Sequence, residues 1–283
     1  MSKGYVSSLD DEARRYARDN LNETEEKRRV ALGEIRKWLE EEKPNLNARL
    51  EDEYILPFLR GCKFNLEKTK AKLRNYYTMR RDRPEWFRNR NPLLPEIQEL
   101  VRNGVFVPLR ERFENRLVII VRTASHDPKR HSQDDVFKAG KMILDVAALE
   151  DETVQVYGVT AIFDLTGVGV LHSKSLTPHM VKKTVFAWQN YHCRPKQLEF
   201  INAPVFVNVM LNIFKSFMTE KLKKRVGVHY GGSESLHQVV DKKILPPEYG
   251  GEGESMESLV EYWCGKLVSR REWFVEDEQY KAD

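Results

Sequence analysis

The run from Tyr157 to Leu171, YGVTAIFDLTGVGVL, constrains this chain more than any other stretch. Between Val156 and Leu165 it carries β-branched and aromatic residues, with Thr160 as a polar interruption before Asp164. A short run of that kind reads as a strand buried on both faces, the habit of parallel sheets covered by helices. Asp164 then stands at the carboxyl end of the strand, where such sheets present functional groups, and its expected task is to stabilise the turn. Gly167 and Gly169 follow and break the regular structure.

The surrounding pattern says what covers the strand. Residues 9–42 predict two charged helices, the first capped by Asp10 or Asp11 and the second opened by a capping box of Asn22 and Glu25. Val30, Leu32, Ile35, Trp38 and Leu39 recur at helical spacing before Pro44. A further helix starts near Glu51, with Tyr54, Ile55, Phe58 and Leu59 on one side and a bend at Pro57. Asn65 opens another, striped by Leu66, Thr69, Leu73, Tyr76 and Tyr77 and ending before Pro84. From Asn91 short strands alternate with helices. Val105–Leu109 and Leu117–Arg122 are strands separated by the charged turn Arg110–Arg116. Asp134 caps a helix to about Leu149, another helix lies near Pro178–His192, and Gln197–Ile201 and Arg225–Tyr230 are strands. Alternation of this kind predicts an α/β layer, mostly parallel.

The segment Pro204–Lys224, PVFVNVMLNIFKSFMTEKLKK, leaves only a narrow polar stripe of Asn208, Asn212, Lys215 or Ser216, and Thr219. As a helix it is apolar around more of its circumference than one core-facing side requires. It reads either as a fully buried helix or as a lid over an apolar cavity that also faces lipid. Lys221, Lys223, Lys224 and Arg225 continue it, Lys182 and Lys183 lie in the helix before it, and Arg194 and Lys196 lie in the next turn. Basic clusters beside an apolar surface suit an anionic membrane, which attracts each such residue by about 1 kcal/mol. Nucleic acid is the weaker reading, because the aromatic residues fall in strands and apolar helices and form no stacking array.

With 47 Lys and Arg against 43 Asp and Glu the overall charge is mild, so these local clusters carry the information. Cys62, Cys193 and Cys264 are far apart with no CxxC, the pattern of a reduced, intracellular chain in which the thiols are structural or incidental. The charged N-terminus has no apolar core of a signal peptide, and no apolar run approaches the roughly 18 residues of a spanning helix. A soluble protein is expected. There is no GxSxG or HExxH, and Gly167-Val168-Gly169 is followed by His172 where a dinucleotide fingerprint requires glycine. No enzyme activity, metal or cofactor is expected.

FLRGCKFNLEKTKAKLRNYYTMR (58–80) resembles the N-terminal helical module of the CRAL-TRIO lipid-binding family. GVTAIFDLTGV (158–168), LTPHMVKK (176–183), FINAPVFVNVMLNIFKSFMTEKLKKR (200–225) and ILPPEYGG (244–251) resemble its lipid-binding domain. The similarity is greatest to the branch of tocopherol transfer and retinaldehyde-binding proteins and covers about residues 20–265. It implies an all-α module over 1–90, an α/β lipid-binding domain over 91–254 and a C-terminal helix and tail over 255–283. The domain would have a mostly parallel five-stranded sheet flooring an apolar chamber, with 203–217 as a movable helical gate. Chamber positions of the family fall at Phe137, Val159, Ala161, Phe163, Leu176, Trp188 and Leu198, with Phe206, Met210 and Phe214 on the gate. Gly140 and Leu144 stand where members of that branch carry serine, which implies a differently shaped and drier ligand. A phosphoinositide head-group site would comprise Arg194, Lys196, Lys221 and Arg225. Cys62 stands where that site has an arginine, so that either Lys63 or Arg60 compensates or the head-group affinity is lower. The implied function is binding and transfer of a tocopherol-, retinoid- or other isoprenoid-like lipid by a cytoplasmic monomer that releases it at phosphoinositide membranes. The alternative is a lipid-gated regulator that senses a lipid without transferring it.

Overall fold

Side chains alternate faithfully along the central strands, and the sheet they build divides the molecule into a face that packs and a face that encloses space. The computed structural model describes residues 5–204 and 207–283. Its chain opens with α1 (Asp11–Leu21), α2 (Glu25–Glu41), the two-residue β1 (Leu46–Asn47), α3 (Asp52–Gly61), α4 (Leu66–Asp82) and α5 (Pro84–Phe87). Then come α6 (Pro95–Arg102), β2 (Phe106–Phe113), β3 (Arg116–Arg122), α7 (Gln133–Glu150), α8 (Glu152–Tyr157), β4 (Val159–Asp164), α9 (Val170–Ser175) and α10 (Pro178–Asn190). The remainder is β5 (Pro195–Ile201), α11 (Val207–Phe217), α12 (Glu220–Lys223), β6 (Val226–Val228), α13 (Gly232–Leu236), α14 (Met256–Ser269), α15 (Arg271–Asp277) and β7 (Lys281–Ala282).

The main sheet has the order β2-β3-β4-β5-β6. β2 and β3 form an antiparallel hairpin, and β3-β4, β4-β5 and β5-β6 are parallel. The expected α/β class is therefore the observed one. One face of the sheet, through Val118, Ile120, Ile162 and Ile201, packs against Leu236, Val240, Leu245, Met256 and Leu259 from the C-terminal part. The opposite face carries Ile119, Val121, Val159, Ala161, Phe163, Leu198 and Phe200, and helices cover it. This is the period of two that strands impose.

Several boundaries differ from the sequence expectation, each for a local reason. The central strand begins at Val159, because Glu152–Tyr157 coils into α8 and Gly158 makes the switch with a φ of 89°. A Cβ there would lie 2.6 Å from the Arg194 carbonyl oxygen, so the turn demands glycine on two counts. Asp10 caps α1, but Asn22 ends that helix in the left-handed region and Thr24 caps α2 by accepting from the Lys27 N–H. Asparagine tolerates that backbone better than most residues, which moves the cap two positions on. Ser132, in a capping box with Asp135, opens α7 in place of Asp134. The expected charged turn 110–116 shrinks to Glu114 and Asn115, both with positive φ, as a two-residue hairpin requires. Arg110, Glu111 and Arg112 extend the edge strand instead, where charges discourage further pairing.

The N-terminal helices and the C-terminal tail embrace the sheet domain together. Ala187 and Tyr191, from α10 and the turn after it, join the core of α2, α3 and α4. β1 pairs with β7, and Asp277 at the end of α15 contacts Arg49, Arg80 and Arg90.

Candidate functional site

The enclosed face of the sheet and the helices over it bound a cavity of about 220 Å³. The floor is Ile119, Val121, Val159, Ala161, Phe163 and Leu198; α7 contributes Val136, Phe137, Gly140 and Leu144; Leu176 and Trp188 close one side. Val207, Met210, Leu211 and Phe214 of α11 complete the wall. The Phe163 ring stacks on Phe200 at 4.7 Å between centroids, and Trp188 stacks on Phe214 at 5.6 Å, which ties α11 to α10. At Gly140 a Cβ would sit 2.6 Å from the Phe106 ring, so the absence of a side chain there lets Phe106 lie against α7.

Of the residues expected in a chamber, the fold brings together Phe137, Gly140, Leu144, Val159, Ala161, Phe163, Leu176, Trp188, Leu198, Met210 and Phe214. Phe206 lies outside the described residues. Thr123, His126, Gln133, Lys141, His172 and Ser173 also line the chamber, among side chains that are mostly apolar. His126 is 5% exposed, and burial followed by the neighbouring His172 lowers its pKa against a small opposing pull from the Thr123 backbone. The two imidazoles meet edge to face at 5.1 Å, and His172 Nε2 lies 3.2 Å from the His126 carbonyl oxygen. Asp164 is absorbed in structure: it accepts from the Thr166 N–H at 3.0 Å, from Asn202 at 2.8 Å and from the Tyr249 hydroxyl at 2.8 Å.

α11 is amphipathic in three dimensions. Val207, Leu211 and Phe214 are buried, whereas Asn208, Asn212 and Ser216 are exposed. Its outer side also exposes Val209 (65%) and Phe217 (37%), and Phe186 of the adjoining α10 is 40% exposed.

Beyond the end of α11 the positive charges converge. Burial pushes the Lys196 pKa down to about 8, helped by Arg194, Arg116, Arg225 and Lys63. Lys221 is lowered by burial and then by Arg225, Lys63, Arg194 and Lys196. Arg194 is lowered by burial, with Arg225 and Arg60 acting in the same direction. Lys72 is lowered by burial with Arg194 and Lys221 contributing. The four expected residues thus sit together, and Lys63, Lys72 and Arg116 join them from three other parts of the chain. Arg194 donates to the Val156 carbonyl and Arg225 to the Pro195 carbonyl, while the buried Arg194 Nε has no hydrogen-bond partner. Of the two residues expected to compensate for Cys62, Arg60 is fully buried and bonded to Glu23 and Glu152, and Lys63 lies within electrostatic reach of Lys196 and Lys221.

No helix among the described residues is long and apolar enough to cross a membrane, and no group of His, Cys, Asp or Glu among them could hold a metal ion. Residues 102–251 match the CRAL/TRIO domain, and residues 24–97 match a Pinta-like UBA domain. The chain is 28% identical to the alpha-tocopherol transfer protein-like protein of Homo sapiens over 276 residues, covering 97% of this chain and 79% of that one. It is 27% identical to Clavesin-2 of Mus musculus over 284 residues, covering 98% and 84%. The crystal structure of Sfh5 aligns with a TM-score of 0.60 over 90% of this chain and 99% of that chain at 16% identity, a likeness of fold.

Proposed function

The chain belongs to the CRAL/TRIO family, whose domain takes in more than half of it, and on that premise we propose that it carries a small hydrophobic lipid between membranes. In this reading residues 1–90 are a supporting helical module, 91–254 the carrier domain and 255–283 a helical strap. The cargo is tocopherol-, retinoid- or other isoprenoid-like and occupies the apolar chamber. α11 is the gate, and a phosphoinositide head group held by Arg194, Lys196, Lys221 and Arg225 assists release. The protein works as a monomer in the cytoplasm with transient visits to membranes, and it catalyses no reaction.

The observation that carries the reading is the junction of chamber, gate and charge. One helix walls the cavity with Val207, Leu211 and Phe214, offers Val209 and Phe217 outward, and leads directly to Lys221 and Arg225. An amphipathic element flanked by cations is suited to lie in the interface of an anionic bilayer. The unpartnered Arg194 Nε supports an anionic visitor, since buried donors are ordinarily satisfied.

Vesicle-to-vesicle transfer of a fluorescent isoprenoid tests it. The double change Lys221→Ala with Arg225→Ala is expected to reduce binding to phosphoinositide vesicles severalfold and to slow transfer, while loading in solution is unchanged. Raised salt should weaken the same binding. Equal vesicle binding by the variant at low salt would remove the head-group assignment. Loading without any transfer would favour the lipid-gated regulator.

A further inference from the structure

Among the described residues the buried arginine and lysine side chains are Arg49, Arg60, Arg80, Arg90 and Lys141. Each of the four arginines contacts a carboxylate. Lys141, in the middle of α7 and on the chamber wall, does not. Its ammonium lies among aromatic rings instead, 4.2 Å from the centroid of Trp86, 5.3 Å from Phe137 and 5.7 Å from Tyr191. The acids within its electrostatic reach are otherwise engaged. Asp134 accepts from Trp86 Nε1 at 2.7 Å, and Asp145 holds Arg90 at 2.8 Å, His192 at 2.8 Å and the Tyr191 hydroxyl. Lys183 lies 6.0 Å from the same Trp86 ring but pairs with Glu85 at 2.7 Å. Of the two amines beside that tryptophan, the one without an acid is the one that lines the cavity.

We propose that the cargo carries a carboxylate head group, which pairs with Lys141 inside the chamber; this rests on the reading of the chamber as a lipid site. An ammonium presents three donors and no acceptor. Aromatic faces attract its charge but leave the donors without oxygen partners. Burial accordingly pushes the Lys141 pKa down to about 8, with Asp145 and Asp134 opposing only in part. A single carboxylate supplies one opposite charge and two acceptor oxygens, the pairing that Arg49, Arg60, Arg80 and Arg90 already have. A hydrocarbon would bury the cation further, and an alcohol would leave its charge unbalanced. A multiply charged phosphate is better matched outside, where several cations meet, than by one amine within.

The test uses the full chain and four probes that share a tail: farnesoic acid, farnesol, farnesal and farnesene, titrated by calorimetry. Farnesoic acid is expected to bind at least tenfold more tightly than farnesol, and Lys141→Met, of similar volume, to abolish that preference while still binding farnesene. Bound farnesoic acid labelled with ¹³C at its carboxyl should titrate at lower pH than the free acid, a readout on the unaltered protein that stands even where the variant does not fold. Equal affinity for acid and alcohol, or an acid preference that survives in the variant, overturns the proposal. So does reductive trapping of farnesal on Lys141 with no advantage for the acid, which would make the amine an imine-forming group. Binding of farnesene and farnesol without preference for the acid removes this inference alone. Failure of all four probes removes the lipid reading and this inference with it.

Discussion

At the scale of single residues, the most informative side chain on the basic surface is Lys196. Its pKa of about 8 is depressed by burial and by the like charges around it. The unfolded value is about 10.4, so between the two the unfolded chain holds more protons and stability rises with pH. Attraction for an anion runs the other way: the cation is present below about 8 and is lost as pH rises through it. Binding to phosphoinositide vesicles should therefore fall severalfold relative to Lys196→Arg between pH 7 and 9, because arginine stays charged throughout. The ratio of the two proteins in a co-sedimentation series cancels any change in the lipid itself. Parallel pH profiles would show that Lys196 does not touch the head group. Residues of this kind are only partly legible in a sequence. Arg194, Lys196, Lys221 and Arg225 announce themselves around one apolar segment, but Lys63, Lys72 and Arg116 reach the same place from the α3-α4 turn, α4 and β3. Lys141 is concealed for a different reason. Asp145 follows it at i+4, so the pair looks like ordinary charges on a solvated helix face until the fold buries both.

At the scale of elements, α11 divides its side chains between the chamber wall and the solvent, and if its outer side docks on membranes as proposed, substitutions should separate the two. Val209→Asp with Phe217→Asp alters the outer side, so it should cut docking on anionic vesicles while leaving folding and loading close to normal. Phe214→Asp removes a buried ring stacked on Trp188 and leaves a carboxylate in an apolar wall. Its expected cost is about 3–5 kcal/mol, read by urea unfolding, together with loss of retained ligand. Similar effects of both changes on docking and stability would argue against a two-sided helix. The sequence already separates this helix and the central strand from their surroundings, because hydrophobic period survives into three dimensions. It misplaces their ends. Val154, Val156 and Val159 form one apolar run, and nothing in that run distinguishes the last turn of α8 from the first residue of β4; Gly158 decides it through a contact with the Arg194 backbone that is distant in sequence. The lining of Thr123, His126, Gln133 and Ser173 is likewise a product of loop and helix-end packing with no period to betray it.

At the scale of the whole molecule, a buried charge cluster ties the N-terminal helices and the C-terminal helix α15 to the sheet domain. Asp277 is 4% exposed and contacts Arg49 at 3.0 Å, Arg80 at 2.7 Å and Arg90. Burial alone would raise its pKa, but Arg80 and Arg90 outweigh it and hold the carboxyl at about 2. The stability this contributes is present above the unfolded value near 3.9 and is lost as pH falls toward 2. Asp277→Asn should cost about 3–5 kcal/mol at neutral pH and remove part of the acid sensitivity seen by urea unfolding at pH 3. This cluster ties α4, α7 and α15 together, so if α11 is the gate as proposed, opening is its movement against that frame. Swinging it out into water uncovers Val207, Met210, Leu211 and Phe214. At about 1.5–3 kcal/mol for each large side chain, that costs roughly 6–12 kcal/mol. Since each 1.4 kcal/mol is about a factor of ten, even the lower figure holds the open state near one molecule in ten thousand. In the proposed mechanism the same side chains would enter the acyl boundary at a bilayer while Lys221, Lys223 and Arg225 stayed among the head groups, so most of the cost would disappear. Ligand release should therefore be slow in buffer, with freed ligand trapped, and accelerate by orders of magnitude on anionic vesicles. A stopped-flow off-rate that is equally fast without vesicles would mean that the chamber opens by some route other than α11 meeting a membrane.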